Sequence, residues 1–230
     1  MISIIDKIII PTYHNFMDPK VRDRTNEELN IRKKEFLKIC DILDVIKINY
    51  FLNTGILLGA VRENDFIKWD WDVEISVFAD EFLPKINLIS NELIKSGFKI
   101  TKIIRNIDNS KIDFTGIFPG DVTSYTIYAW KYSGIRDVFW RKELSVPARF
   151  LKKFSKINFL GRQFNCPVSH EEYLTFVYGN WKKPLRTSNK KVYLSKDYKK
   201  ETLLFTIYIE KFLMKIYNYA IKIKKFIRFK

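Results

Sequence analysis

Apolar positions along the chain change period several times, and each change marks an element. Leu29, Phe36, Cys40 and Leu43 recur at spacings that share one helical face, and Thr25-Asn26-Glu27-Glu28 ahead of them reads as a capping box. A helix is therefore expected from about Asn26 to Ile46. Asn49 to Leu52 reads as a short strand entering the turn Asn53-Thr54-Gly55, followed by a helical start from Ile56 to Val61. Asp72-Val73-Glu74-Ile75-Ser76-Val77 alternates polar and apolar residues with period two, the pattern of a strand with one face covered. Asp80 is placed to cap a helix that continues to Ser96, with Gly97 as its stop. Strands are expected at 98–104, 111–118 and 124–130, with Phe118-Pro119-Gly120-Asp121 as a turn. Ile157 to Val168 reads as a hairpin around Gly161-Arg162. Ser169-His170-Glu171-Glu172 reads as a second capping box, opening a helix that ends near Tyr178-Gly179. From about Lys200 the pattern is helical again. The class is α+β: residues 1–198 form one unit of mixed sheet flanked by helices, and residues 199–230 form a basic amphipathic helical extension.

Composition narrows the function classes. With 230 residues, 47% of them hydrophobic and 29% charged, the chain is long enough for a substantial core. Its 19 Phe, 12 Tyr and 5 Trp place it outside the class of disordered chains. Lys and Arg number 41 against 26 Asp and Glu, a net charge of +15 that favours phosphate-rich partners: nucleotides, nucleic acid or an anionic membrane surface. The basic residues are dispersed, thicken only toward the C-terminus and belong to no nucleic-acid motif, which weighs against a nucleic-acid-binding protein. Cys40 and Cys166 belong to no C-x-x-C pair, and a reducing cytoplasm fits them. The apolar start is interrupted by Asp6 and Lys7 and lacks signal-peptide features, and no apolar stretch approaches the ~18 residues of a membrane span. A cytoplasmic protein is expected, peripheral at the inner face of the membrane if its last helix binds lipid. That helix sets Phe212, Leu213, Ile216, Tyr217, Ala220 and Ile223 on one side, with Lys222, Lys224, Lys225, Arg228 and Lys230 near its end. The alternative is a helix packed on the domain with a solvated basic tail.

Candidate chemistry concentrates between Gly55 and Glu74. A tight glycine turn, with Gly55 and Gly59, lets backbone amides approach a phosphate. Eleven residues separate Ala60 from Asp72; Asp72 and Glu74 project from one strand face, and Asp70 joins them if the strand begins early. Three crowded carboxylates repel one another, and a hard cation such as Mg²⁺, or Mn²⁺ in its place, resolves the repulsion.

The run Tyr50-Phe51-Leu52-Asn53-Thr54-Gly55-Ile56-Leu57-Leu58-Gly59-Ala60-Val61-Arg62, then Phe66-Ile67-Lys68-Trp69-Asp70-Trp71-Asp72-Val73-Glu74-Ile75, resembles the signature of the LicD family. That family includes bacterial phosphocholine transferases and is similar to animal fukutin-type phosphotransferases. The resemblance resumes at Phe159 to Pro167 and at Tyr178-Gly179-Asn180-Trp181, and covers roughly residues 26 to 185. Lys68, Trp71 and Glu74 stand where the family usually has Pro, Asp and Asp. The resemblance implies a nucleotidyltransferase-like, polymerase-beta-like fold. It also implies Mg²⁺-dependent transfer of a phosphorylated alcohol (phosphocholine, phosphoethanolamine, glycerol phosphate or ribitol phosphate) from a CDP-linked donor to a glycan hydroxyl, with release of CMP. Such transfer belongs to the biosynthesis of surface polysaccharide: capsule, lipopolysaccharide or teichoic acid.

Within that reading Asp70, Asp72 and Glu74 are the metal ligands, Arg62 holds a donor phosphate through its planar fork, and Gly55, Gly59 and Trp69 line the substrate site. Asp113, on a strand read as the neighbour, is the candidate to take the acceptor's proton or complete the metal site, and a plain strand-end carboxylate is the competing reading. Asp121 is the fallback. His14 and His170 sit in a loop and after a helix cap, where catalysis is not expected of them. Tyr178 and Trp181 read as packing the closing helix. Nucleotide transfer to a small molecule or protein, nucleic-acid binding and an inactive scaffold stay open as alternatives.

Overall fold

The computed structural model describes residues 21–106, 109–118, 123–142, 144–195 and 198, together with residues 209, 212, 213, 216 and 219. His14, Asp121 and most of the C-terminal helical extension lie outside the described residues.

Helix α1 spans Asn26–Val45, and the capping box forms as expected: Thr25 Oγ1 accepts from the Glu28 amide at 3.2 Å while Glu28 accepts from the Thr25 amide at 2.7 Å. The chain then passes through β1 (Tyr50–Phe51), α2 (Thr54–Arg62), β2 (Asp72–Phe78) and α3 (Ala79–Lys95). Asp80 does not cap α3. It sits inside the first turn, where a carboxylate still favours the helix dipole, and Phe78 occupies the cap position with no side-chain bond. Gly97 follows with φ +97°, the left-handed stop that glycine adopts without strain.

Next come β3 (Lys99–Ile104), β4 (Lys111–Thr115), β5 (Ser124–Ser133), β6 (Val138–Arg141) and β7 (Leu144–Pro147). The hairpin of β6 and β7 has no counterpart among the strands expected from the sequence. The seven strands form one sheet in the order β1-β2-β5-β4-β3, with β6 continuing from β5 and β7 from β6. Only β2 and β5 run parallel, joined through α3 and the β3–β4 hairpin. A separate hairpin, β8 (Phe154–Phe159) and β9 (Arg162–Pro167), is tied to β1 where the Leu52 amide donates to the Asn165 carbonyl at 2.8 Å. Helix α4 (His170–Tyr178) and the short α5 (Lys190–Tyr193) close the described chain. Ser169 precedes α4 without a side-chain cap bond, so the second capping box does not form.

The two faces of the sheet differ in character. Val73, Ile75 and Val77 on β2 lie beside Tyr125, Ile127 and Ala129 on β5 and Ile112 and Phe114 on β4, all buried. Helices α1 and α3 cover this face; Phe36, Ile39, Cys40, Leu43, Phe82, Ile86, Ile89 and Leu93 are buried against it. Both cysteines are free and buried. The opposite face carries Asp72, Glu74, Ser76, Thr126 and Tyr128, and there the functional site forms. Among the described residues no helix is long and apolar enough to cross a membrane.

Candidate active site

A cavity of about 200 Å³ opens over the polar face of β2. Its floor is Gly55, Asp70, Asp72 and Glu74; its walls are aromatic, with Trp69, Trp71, Tyr178, Trp181 and Tyr193; and Arg62, Lys183 and Lys190 supply positive charge. Three segments far apart in sequence meet here: the α2–β2 connection, the end of α4, and α5.

Asp70 does not extend β2, which begins at Asp72. It sits in a turn closed by its own amide on the Ile67 carbonyl at 3.0 Å. The turn nevertheless brings the Asp70 carboxyl beside that of Asp72, near enough for each to act on the other's proton. Burial is the main cause pushing the Asp70 carboxyl up to about 6, with Arg32 opposing and Glu74 adding to the rise. Asp72 is raised well above the usual carboxylate range, first by burial and then by the charges of Asp70 and Glu74, with Lys190 opposing. Two like charges this close are held by sharing a proton or a cation.

Glu74 faces the same cavity but turns to a different partner. Its carboxylate lies 3.3 Å from Arg141 Nη2, and the Arg141 guanidinium stacks 3.3 Å above the Tyr128 ring. Around Arg141 the Tyr198 hydroxyl and the Arg141 Nε are buried with no hydrogen-bond partner among the described residues. The trio expected to act alike is therefore a pair plus a third carboxylate anchored from behind. Among the described residues no three Asp, Glu, His or Cys side chains form a ready-made metal cage. The donor set of Asp70 and Asp72 fits a hard cation such as Mg²⁺, which typically takes one or two protein carboxylates and completes its shell with water and substrate phosphate.

The other expected site residues take varied places. Gly55 lines the cavity, and a Cβ there would stand 2.8 Å from Asp70 Oδ2, so a larger residue would displace the Asp70 carboxyl from its present place. Gly59 lies outside the lining; a Cβ there would stand 2.6 Å from the Asp65 carbonyl oxygen, so its glycine serves the close packing of α2 on the 65–67 turn. Trp69 forms a wall, with the Arg62 guanidinium 5.9 Å from its ring. Arg62 is largely occupied, its Nε on Glu63 at 2.8 Å and its Nη1 on the Trp181 carbonyl at 3.1 Å. Trp181 both packs in the core and lines the cavity, and Tyr178 lines it too.

Asp113 is not beside β2. Strand β5 lies between, so that Asp113 pairs with Thr126, which in turn pairs with Glu74. Its carboxylate is bound by Lys111 at 2.6 Å and Thr126 at 2.9 Å and does not reach the cavity lining. His170 also lies outside the lining, 4.0 Å from Cys166 Sγ.

Three residues in or behind the site went unnoticed in the sequence. Arg32 is fully buried, donates to Thr123 Oγ1 at 3.3 and 3.1 Å, and its charge reaches Asp70. A signal existed: Arg32 falls on the apolar stripe between Leu29 and Phe36. Arg141 and Lys190 had none, because nothing local in their sequence ties them to a carboxylate some 67 or more positions away.

The model of the LicD/FKTN/FKRP nucleotidyltransferase domain matches residues 47–169, a narrower span than the resemblance suggested and one that ends before Tyr178. Two curated relatives named ribitol 5-phosphate transferase FKRP, from Mus musculus and Homo sapiens, are each 22% identical over 147 residues. That alignment covers 61% of this chain and only 30% of each relative's length. Among solved structures, a lincomycin-bound lincosamide antibiotic adenylyltransferase, LnuA, aligns at TM-score 0.42 and 16% identity over 67% of this chain and 87% of its own. A solution structure of the antibiotic-resistance factor ANT(2'')-Ia aligns at TM-score 0.47 and 13% identity over 84% of this chain and 96% of its own. With the family model spanning more than half of its length, the chain belongs to the LicD/FKTN/FKRP family and carries that family's nucleotidyltransferase domain.

Proposed function

We propose that this protein is a divalent-cation-dependent transferase that moves a phosphorylated alcohol from a CDP-linked donor to a hydroxyl of a glycan, releasing CMP. The observation that carries the reading is the Asp70–Asp72 pair, two carboxyls side by side on the floor of a cavity whose walls are aromatic and cationic. Family membership and the printed activity of the FKRP relatives support phosphorylated-alcohol transfer.

In this reading Asp70 and Asp72 hold Mg²⁺, which when bound neutralises charge on the donor's phosphate oxygens. The remaining work falls to the chain. The aromatic walls bury the nucleoside and exclude water, while Arg62 fixes the rim by joining α2 to Trp181. The acceptor hydroxyl oxygen forms a bond to phosphorus as the bond to the CMP oxygen breaks. Its proton passes to a carboxylate in the cavity, and Glu74, held in place by Arg141, is the one left for that role.

The test is incubation with Mg²⁺, candidate glycan acceptors and CDP-linked ribitol, glycerol, choline and ethanolamine, following CMP. Release of CMP from one of these donors, abolished in Asp72→Asn, is the expected result. Consumption of ATP with adenylylated product and no CMP release would replace the reading with nucleotide transfer.

A further inference from the structure

We infer that Lys183 and Lys190, rather than Arg62, are the side chains that meet the donor's diphosphate. The inference rests on the donor reading above and adds which cations do the binding. Of the three cations in the lining, Arg62 is already committed to Glu63, to the Trp181 carbonyl and to the Trp69 ring. A guanidinium engaged on two edges has little left of the fork that recognises phosphate bidentately.

The two lysines are differently placed. Lys182, their neighbour in sequence, is paired with Glu171 at 3.4 Å, whereas Lys183 and Lys190 have no salt bridge among the described residues. Lys190 opens α5 and Tyr193 ends it, three positions apart and so on one helical face. Both line the cavity, and Tyr193 is close enough for the charges of Asp72, Asp70 and Glu74 to act on its hydroxyl. Helix α5 thus stands directly over the acidic floor, and Lys190 lies close enough to Asp72 to act on it electrostatically. A diphosphate entering between them has carboxylates, with their cation, on one side and the two ammonium groups on the other. Lysine's compact charge on a flexible stem suits phosphate oxygens whose position shifts as a bond breaks. The segment that carries these lysines lies beyond the matched family span of 47–169.

The experiment is a titration with CDP, CMP and cytidine in the presence of Mg²⁺, read by the fluorescence of Trp69, Trp71 and Trp181 in the cavity wall. It compares the parent, the double variant Lys183→Gln/Lys190→Gln and the control Lys182→Gln. Loss of two charge-assisted contacts predicts CDP binding weaker by about tenfold or more in the double variant. Cytidine binding stays at the parent level, and Lys182→Gln behaves as the parent. Equal thermal melts of parent and double variant exclude a merely structural effect. A double variant that binds CDP as tightly as the parent overturns this inference and leaves the donor reading standing; a parent that binds no CDP overturns both.

Discussion

Asp70 and Asp72 are held in protein at a cost that the fold does not recover without a proton or a cation between them. A carboxyl whose folded value is raised from 3.8 to about 6 favours the protonated form in the native state, so its contribution to stability is complete at low pH and lost as pH rises through about 6. Glu28, pulled down to about 2 by its hydrogen bond with Arg22, acts the opposite way, but only below about pH 4. The metal-free chain is therefore expected to lose melting temperature between pH 4 and pH 7, and Mg²⁺ is expected to restore it more at pH 7.5 than at pH 5. Scanning fluorimetry with and without chelator checks this; an equal Mg²⁺ effect at both pH values contradicts it.

Two further residues carry sharp expectations. Gly59→Ala forces a Cβ to within 2.6 Å of the Asp65 carbonyl, backbone that cannot swing away, and overpacking of this kind costs about 1–3 kcal/mol. A denaturant midpoint unchanged from the parent's contradicts it. Arg141→Met leaves Glu74 without its partner. Because Glu74 keeps 30% side-chain exposure, the expected loss is about 2 kcal/mol, below the ~3–5 kcal/mol of a fully buried pair.

Among the elements, those with a regular period were legible from the chain alone. Helix α1 and strand β2 are found where their apolar spacing places them, since each buries one face continuously and the pattern records that burial. The β6–β7 hairpin left no such trace: each strand has four residues, too few for a period to emerge. The caps expected at Asp80 and Ser169 fail because a capping residue type does not guarantee capping geometry. At Thr25 the geometry is present, and Thr25→Ala is expected to lower stability by about 1 kcal/mol.

Strand order was the property that sequence could not supply, and it decides Asp113. Reading β4 as the neighbour of β2 puts a fourth carboxylate at the site; the interposed β5 puts Thr126 there instead. Asp113→Asn is accordingly expected to leave CMP release near the parent rate, and a collapse of turnover in a well-folded variant contradicts the placement. The pair Asp70 and Asp72 was legible because both come from one short segment. Arg141 and Lys190 were not, because they arrive from other elements through tertiary packing.

At the scale of the whole molecule, the net charge of +15 is unevenly placed: residues 211–230 hold seven Lys and Arg and no acidic residue. Ile209, Phe212, Leu213, Ile216 and Tyr219 are helical and exposed, at spacings that set them on one face. We propose that this apolar face, with the basic run that follows it in sequence, rests on anionic lipid. Full-length protein is expected to sediment with anionic liposomes more than a version lacking residues 205–230, and equal partition contradicts it.

Asp70 and Asp72 are the proposed metal site of this nucleotidyltransferase domain, and Mn²⁺ binding followed by electron paramagnetic resonance tests that assignment most directly. The prediction is a tight Mn²⁺ site in the parent, lost in Asp72→Asn and kept in Asp113→Asn. Mn²⁺ binding that survives Asp72→Asn undiminished contradicts it.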